Sequence, residues 1–236
     1  MFYQPYSKNE FQFDFPIPIA ITTPLAGGEA KSLDGKAKVQ VDQEGVFEDI
    51  NLIIQAVDDE NEDMIKGTFY AIEPQDMPLN KEAKVWLKYP ENIEKSNKLA
   101  IYGYNKKDKW EFVGKELDEE QKTIKANIKY FSVYALGQDT IPPVIKNVRP
   151  KENQKLTNRR PKISAKVEDN LSGIEDDRDI EIWLDGEWLI PEYDIDNKIL
   201  QSKPHFDLTY GTHILIIKVK DRMRNTSSIK REFEVN

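Results

Sequence analysis

Carboxylates are the residues through which this chain could do chemistry. Its 236 residues include 42 Asp and Glu against 34 Lys and Arg, with two His and no Cys. Calcium takes six to eight hard oxygens converging in one small volume, and three places invite that reading. Asp58 to Asp63 is an acidic run, Asp169 lies near Glu175, Asp176, Asp177 and Asp179, and Asp221 is followed by Asn225. Loops at one end of a β-sandwich can pool such ligands, which makes Asp169, Asp221 and Asn225 the candidate metal set. None of the runs has the spacing of an EF-hand. Asx-turns at Asp169 and Asn225 explain the same residues without an ion, and the run from Asp58 reads as a solvated loop. No cofactor is expected, with calcium the open alternative.

Other catalytic chemistry has less to stand on. His205 and His213 have no close histidine partner and no His-Glu-x-x-His spacing, which argues against a catalytic zinc centre. In Gly211-Thr212-His213-Ile214-Leu215 the histidine shares a strand face with Leu215, Ile217 and Val219, so it reads as a structural residue at a sandwich rim. Ser132, Ser164 and Ser172 lack a nucleophile-elbow context, and Gly27-Gly28 does not open a helix as a phosphate loop would. A pair of acids at glycosidase distance remains the weaker alternative, but a sandwich with short loops offers no obvious cleft to shield it. The expectation is a protein that is not an enzyme.

The most informative local pattern is Ile180-Glu181-Ile182-Trp183-Leu184-Asp185-Gly186-Glu187-Trp188. Asp-Gly between alternating strands signals a hairpin with a type I′ turn. That register sets Leu184 opposite Glu187 and Trp183 opposite Trp188. With Ile180, Ile182 and Leu184 facing inward, Trp183 and Trp188 form an outward cross-strand pair that contributes about 1 kcal/mol to the hairpin. Exposed tryptophans also suit a stacking platform for sugar rings or a protein partner, so Trp183 and Trp188 are the candidate binding residues.

The elements that position these residues are strands. From Gly35 onward the hydrophobic period is two, as in Lys36–Val41, Ala83–Tyr89, Thr123–Ile128 and Ser132–Leu136. Turn-rich stretches intervene, and no window has helical period. Glu116 to Lys122 is the only helix-friendly piece and reads as a turn. The expected fold is all-β, two tandem antiparallel β-sandwiches, the second Ig-like. The boundary falls where Tyr130 to Leu136 closes one sandwich and Pro142-Pro143 opens the next, because a proline pair stiffens an extended connection and cannot lie within a central strand. The expected domains are therefore 31–138 and 144–236, joined by 139–143. Residues 1–30, with Phe11, Phe13 and Phe15 alternating against Gln12 and Asp14, read as the end of a preceding domain, with an added edge strand as the alternative.

The first half resembles ZU5-like β-sandwich domains. The likeness is carried by Ser32-Leu33-Asp34-Gly35, Val46-Phe47-Glu48-Asp49, Ile72-Glu73-Pro74, Ala83 to Pro90, Trp110-Glu111-Phe112-Val113-Gly114 and Tyr130 to Leu136. In it Trp110 and Phe112 point to one side, and Pro74 and Pro78 close the preceding strand. The second half resembles bacterial Ig-like domains through Val167 to Ile174, Leu184-Asp185-Gly186, Tyr193-Asp194, Tyr210 to His213 and Val219 to Asn225. Where that family has Gly before the last Asn, this chain has Arg224, which strains the turn if it needs positive φ. Similar tandem modules follow the catalytic domains of secreted bacterial hydrolases, including zinc-dependent cell-wall endopeptidases. The resemblance implies a non-catalytic accessory or spacer region, serving positioning or adhesion, with a carbohydrate- or protein-binding module as the alternative.

The totals fit that reading. A formal charge of -8 disfavours a nucleic-acid partner, which needs a concentrated basic face, and no apolar run approaches the roughly 20 residues of a membrane span. The expected partners are other domains of the same polypeptide and a cell-wall glycan or surface protein. The expected location is extracellular or at the cell surface. The N-terminus lacks the basic-then-apolar order of a signal peptide, so export calls for a signal segment upstream of Met1.

Overall fold

A computed structural model describes residues 18–58, 68–107 and 109–236. The chain divides into two units, Met1–Asp139 and Thr140–Asn236, and each encloses its own hydrophobic core. The fold is all-β.

In the first unit the strands are β1 (Ala20–Thr22), β2 (Gly28–Lys31), β3 (Ala37–Val41), β4 (Ile50–Asp58), β5 (Thr68–Glu73), β6 (Pro78–Lys88), β7 (Leu99–Tyr104), β8 (Trp110–Gly114), β9 (Glu116–Asp118), β10 (Thr123–Tyr130) and β11 (Val133–Gln138). They form a six-stranded sheet, β1-β4-β5-β11-β7-β8, and a five-stranded sheet, β2-β3-β6-β10-β9. Strict alternation builds the core between them. Ala37, Val39 and Val41 point inward from β3 while Lys38 and Gln40 face out, and β6 does the same with Ala83, Val85 and Leu87. The pairs Ala37↔Leu87 and Val39↔Val85 lock the register, because a one-residue slip would turn this set to solvent.

Three expectations change here. β1 pairs with β4 and β2 with β3, so residues from Ala20 to Lys31 belong to the first sandwich and not to a preceding domain. The alternating Ala30 is buried and Lys31 exposed, a signal too short to separate an edge strand from a tail. Pro78 starts β6 rather than closing β5, and a strand's first residue tolerates a missing N–H. Glu116–Asp118 forms a short edge strand on β10 before its turn. The Phe11–Phe15 pattern, the Asp58–Asp63 run beyond the Asp58 backbone, and Asp108 lie outside the described residues.

The outer face of the six-stranded sheet carries an aromatic layer. Trp110 reaches Phe69 (ring centroids 5.4 Å apart) and Tyr104 (5.3 Å), and Phe112 packs edge-on against Tyr102 (5.9 Å). Trp110 and Phe112 thus share a side, as their spacing implies, while Val113 joins the inner core.

The second unit contains β12 (Val144–Arg149), β13 (Gln154–Leu156), β14 (Ile163–Glu168), β15 (Ile180–Leu184), β16 (Glu187–Leu189), β17 (Glu192–Asp194), β18 (Ile199–Ser202), β19 (Gly211–Lys220) and β20 (Thr226–Val235). A four-stranded sheet, β12-β14-β18-β17, faces a five-stranded sheet, β13-β20-β19-β15-β16. Ile163, Ala165 and Val167 of β14 meet Ile180, Ile182, Leu184, Leu215, Ile217 and Val219 in the core. β13 pairs in parallel with the last strand, Gln154↔Phe233 through Leu156↔Val235. The edge strand β12 is broken by a register shift between Lys146 and Arg149, with Asn147 at φ 53°. Such a bulge blunts an exposed edge against pairing with another chain.

Candidate functional site

The hairpin β15–β16 organises the outward face of the five-stranded sheet. Asp185 and Gly186 both have positive φ, 52° and 88°, as a type I′ turn requires. The register is Leu184↔Glu187, Trp183↔Trp188 and Ile182↔Leu189. In a two-residue hairpin the pair flanking the turn is hydrogen-bonded and the next pair is not, which brings the side chains of Trp183 and Trp188 closer. Trp188 is 49% exposed, and Trp183 is half-buried because β19 runs along its other side.

Strand β19 extends the surface. Trp183 lies opposite Ile216, giving a row Trp188, Trp183, Ile216 across three strands, with Ile214 beside it at 37% exposure. Trp183, Gly186, Ile214, Ile216 and Lys218 line an open groove of about 240 Å³. The polar margin is fixed. Trp183 Nε1–H donates to Glu181 Oε2 (3.2 Å), and the ammonium groups of Lys218 and Lys220 lie 3.9 and 3.7 Å from the Glu181 carboxylate. This face can stack a flat apolar or sugar-ring surface and offer hydrogen bonds at its rim. Ile214, Ile216 and Lys218 are the members that sequence reading did not attach to the tryptophans. Their alternation against Leu215 and Ile217 shows that they face outward, but only the pairing of β15 with β19 places them beside Trp183.

His213 is a packing residue under this hairpin. It is 3% exposed, its Nε2–H donates to the Thr209 carbonyl (2.8 Å), and its Nδ1 lies 2.6 Å from Asp185 Oδ2. Asp185 Oδ1 also accepts from the Ile214 N–H at 2.7 Å. The turn is therefore riveted to β19 through a buried ring that rests on Phe233. His205 is exposed and stacks edge-on against Phe206.

Asp169 and Asp221 do come together. They sit on the loops after β14 and β19, and one carboxylate oxygen of each lies within 4.8 Å of the other. Asp169 Oδ2 accepts from the N–H groups of Leu171 (3.2 Å) and Gly173 (2.7 Å), which is the expected turn chemistry. Asp221 is fully buried. Its Oδ1 accepts from the Asn225 N–H (2.8 Å) and its Oδ2 from Asn225 Nδ2 (2.7 Å). Asn225 is thus a donor to Asp221 through both of these nitrogens. Arg222 ties the two loops, its N–H donating to the Gly173 carbonyl and its Nη1 to that of Ser172. Arg224, which stands where glycine was expected, has φ 63°.

No protein-family model matches the chain, and no curated protein does. Among solved structures it is similar to the dimeric latent PorU of Porphyromonas gingivalis, at a TM-score of 0.33 and 15% identity over 92% of this chain. The chain spans 24% of that PorU chain, about a quarter of its length.

Proposed function

We propose that this chain is a non-catalytic accessory region of a secreted or surface-attached bacterial multidomain protein, in which two β-sandwiches space neighbouring domains and attach them to a surface. The resemblance of its halves to ZU5-like and bacterial Ig-like modules supports the setting. The observation that carries the attachment is the Trp188–Trp183–Ile216 row, an apolar strip held on a rigid sheet and rimmed by Glu181, Lys218 and Lys220. His213 and Asp185 pin the hairpin turn to its neighbouring strand and Glu181 holds the Trp183 indole, and such preorganisation favours affinity.

The same row favours a second, narrower reading in which the ligand is cell-wall glycan, since indole faces stack on the apolar faces of sugar rings. Sedimentation with insoluble peptidoglycan tests both. Retention of the purified chain, lost in a Trp183→Ala/Trp188→Ala double variant and without release of soluble fragments, is the expected result. No retention of the native chain removes the glycan reading and leaves the spacer; release of fragments removes the non-catalytic one.

A further inference from the structure

A second site lies in the first unit. Four stretches distant in sequence meet at one end of that sandwich: the β2–β3 turn at Asp34 to Lys36, the start of β5 at Thr68 and Tyr70, the end of β6 with Lys88 to Glu91, and Leu136 of β11. They enclose a cavity of about 450 Å³, within the roughly 300–1,000 Å³ of small-molecule sites. From its polar and apolar walls we infer that this cavity binds a neutral polyhydroxylated ligand, one or two sugar units in size, through the carboxylate of Asp34.

Asp34 is held in place before any ligand arrives. Its Oδ1 accepts from Ser32 Oγ–H (2.5 Å) and the Lys36 N–H (3.0 Å), and its Oδ2 accepts from the Tyr70 hydroxyl (2.8 Å). An ionised carboxylate has about four acceptor positions, so these three hydrogen bonds leave one, on Oδ2, which the Lys36 ammonium approaches only to 4.0 Å. Burial works against the charge, but the three donors and the nearby Lys36 ammonium outweigh it and hold the Asp34 carboxyl below its ordinary range. Burial, then the bond to Asp34, push the Tyr70 phenol well above its ordinary range, which keeps it a donor.

The rest of the lining selects the ligand class. Two cations, Lys36 and Lys88, share the lining with two anions, Asp34 and Glu91; Lys36 lies 4.0 Å from Asp34, and Glu91 is paired with Lys122 at 3.0 Å. An ionic ligand would meet a like charge beside each opposite one. Hydroxyl groups meet no such conflict, because each donates to a carboxylate and accepts from an ammonium. Tyr70, Tyr89, Pro90 and Leu136 supply the apolar wall against which the C–H face of a ring rests.

Saturation-transfer NMR on the full chain with glucose, N-acetylglucosamine, cellobiose and chitobiose tests the assignment. Transfer to at least one of them is expected, with affinity falling about tenfold or more in Asp34→Asn, the loss typical of a hydrogen bond to a charged group. Lys88→Ala, at an exposed rim position, should weaken binding several-fold; it carries the test alone if Asp34→Asn fails to fold by circular dichroism. Absence of transfer from all four sugars overturns the inference, as does binding unchanged in the interpretable variants. Binding that survives these changes but is lost in Trp183→Ala/Trp188→Ala places the sugar on the second unit, which overturns this site and leaves the earlier reading intact.

Discussion

Arg224 occupies a backbone well that costs an L-residue about 1–2 kcal/mol, at φ 63°. Its guanidinium gains an ion pair with Asp179 at 3.3 Å but is 69% exposed, and exposed pairs contribute about 0–1 kcal/mol. Glycine would relieve the strain while adding about 0.5–1 kcal/mol of chain entropy to lose on folding. Arg224→Gly is therefore expected to be neutral to stabilising, by up to about 1 kcal/mol in urea denaturation; a clear loss would show that the ion pair matters more than the backbone. Asp34 gives a second prediction. Its lowered carboxyl contributes stability above the unfolded-state value near pH 4, and that contribution is lost as pH falls through the lower folded-state value. The urea midpoints of native protein and Asp34→Asn should differ most near neutral pH and converge in acid. Parallel curves would mean that Asp34 is not held ionised by its donors.

At the scale of elements, the β15–β16 hairpin was legible in the chain because its determinants are local: alternation fixes the faces, and Asp-Gly fixes the turn and hence the register. Gly186→Ala tests it cleanly. A Cβ there meets nothing within 4 Å, so the expected loss of about 1 kcal/mol is backbone strain alone. Gly103 is the contrasting case. On β7 a Cβ would stand 2.9 Å from the Tyr134 ring and 3.2 Å from Val113, inside the first core. Gly103→Ala should cost about 1–3 kcal/mol by overpacking, and an unchanged melting temperature would show that Tyr134 moves aside. No sequence pattern marks Gly103, because its neighbours come from β8 and β11. The Asp34 cavity was missed for the same reason. The Asp34-Gly35 turn was visible, but Tyr70, Lys88 and Leu136 join it only through sheet order, and short loops had suggested that no cleft exists.

For the whole molecule, alternation and the proline pair were enough to read an all-β chain in two parts, whereas the membership of Ala20–Lys31 depended on pairings with β4 and β3 that no local signal encodes. Each unit has its own core, so residues 140–236 alone are expected to unfold in one cooperative urea transition; a gradual loss of signal would show that the second core is not self-sufficient. The parallel pairing of β13 with β20 has a mechanical consequence. Gln154, Lys155 and Leu156, near the start of the second unit, are in register with Phe233, Glu234 and Val235 at its end. Tension applied through the two termini of that unit drags these strands in opposite directions along their length. The rungs joining them are then loaded together in shear instead of being unzipped one at a time, a geometry that resists force in a protein tethered at both ends.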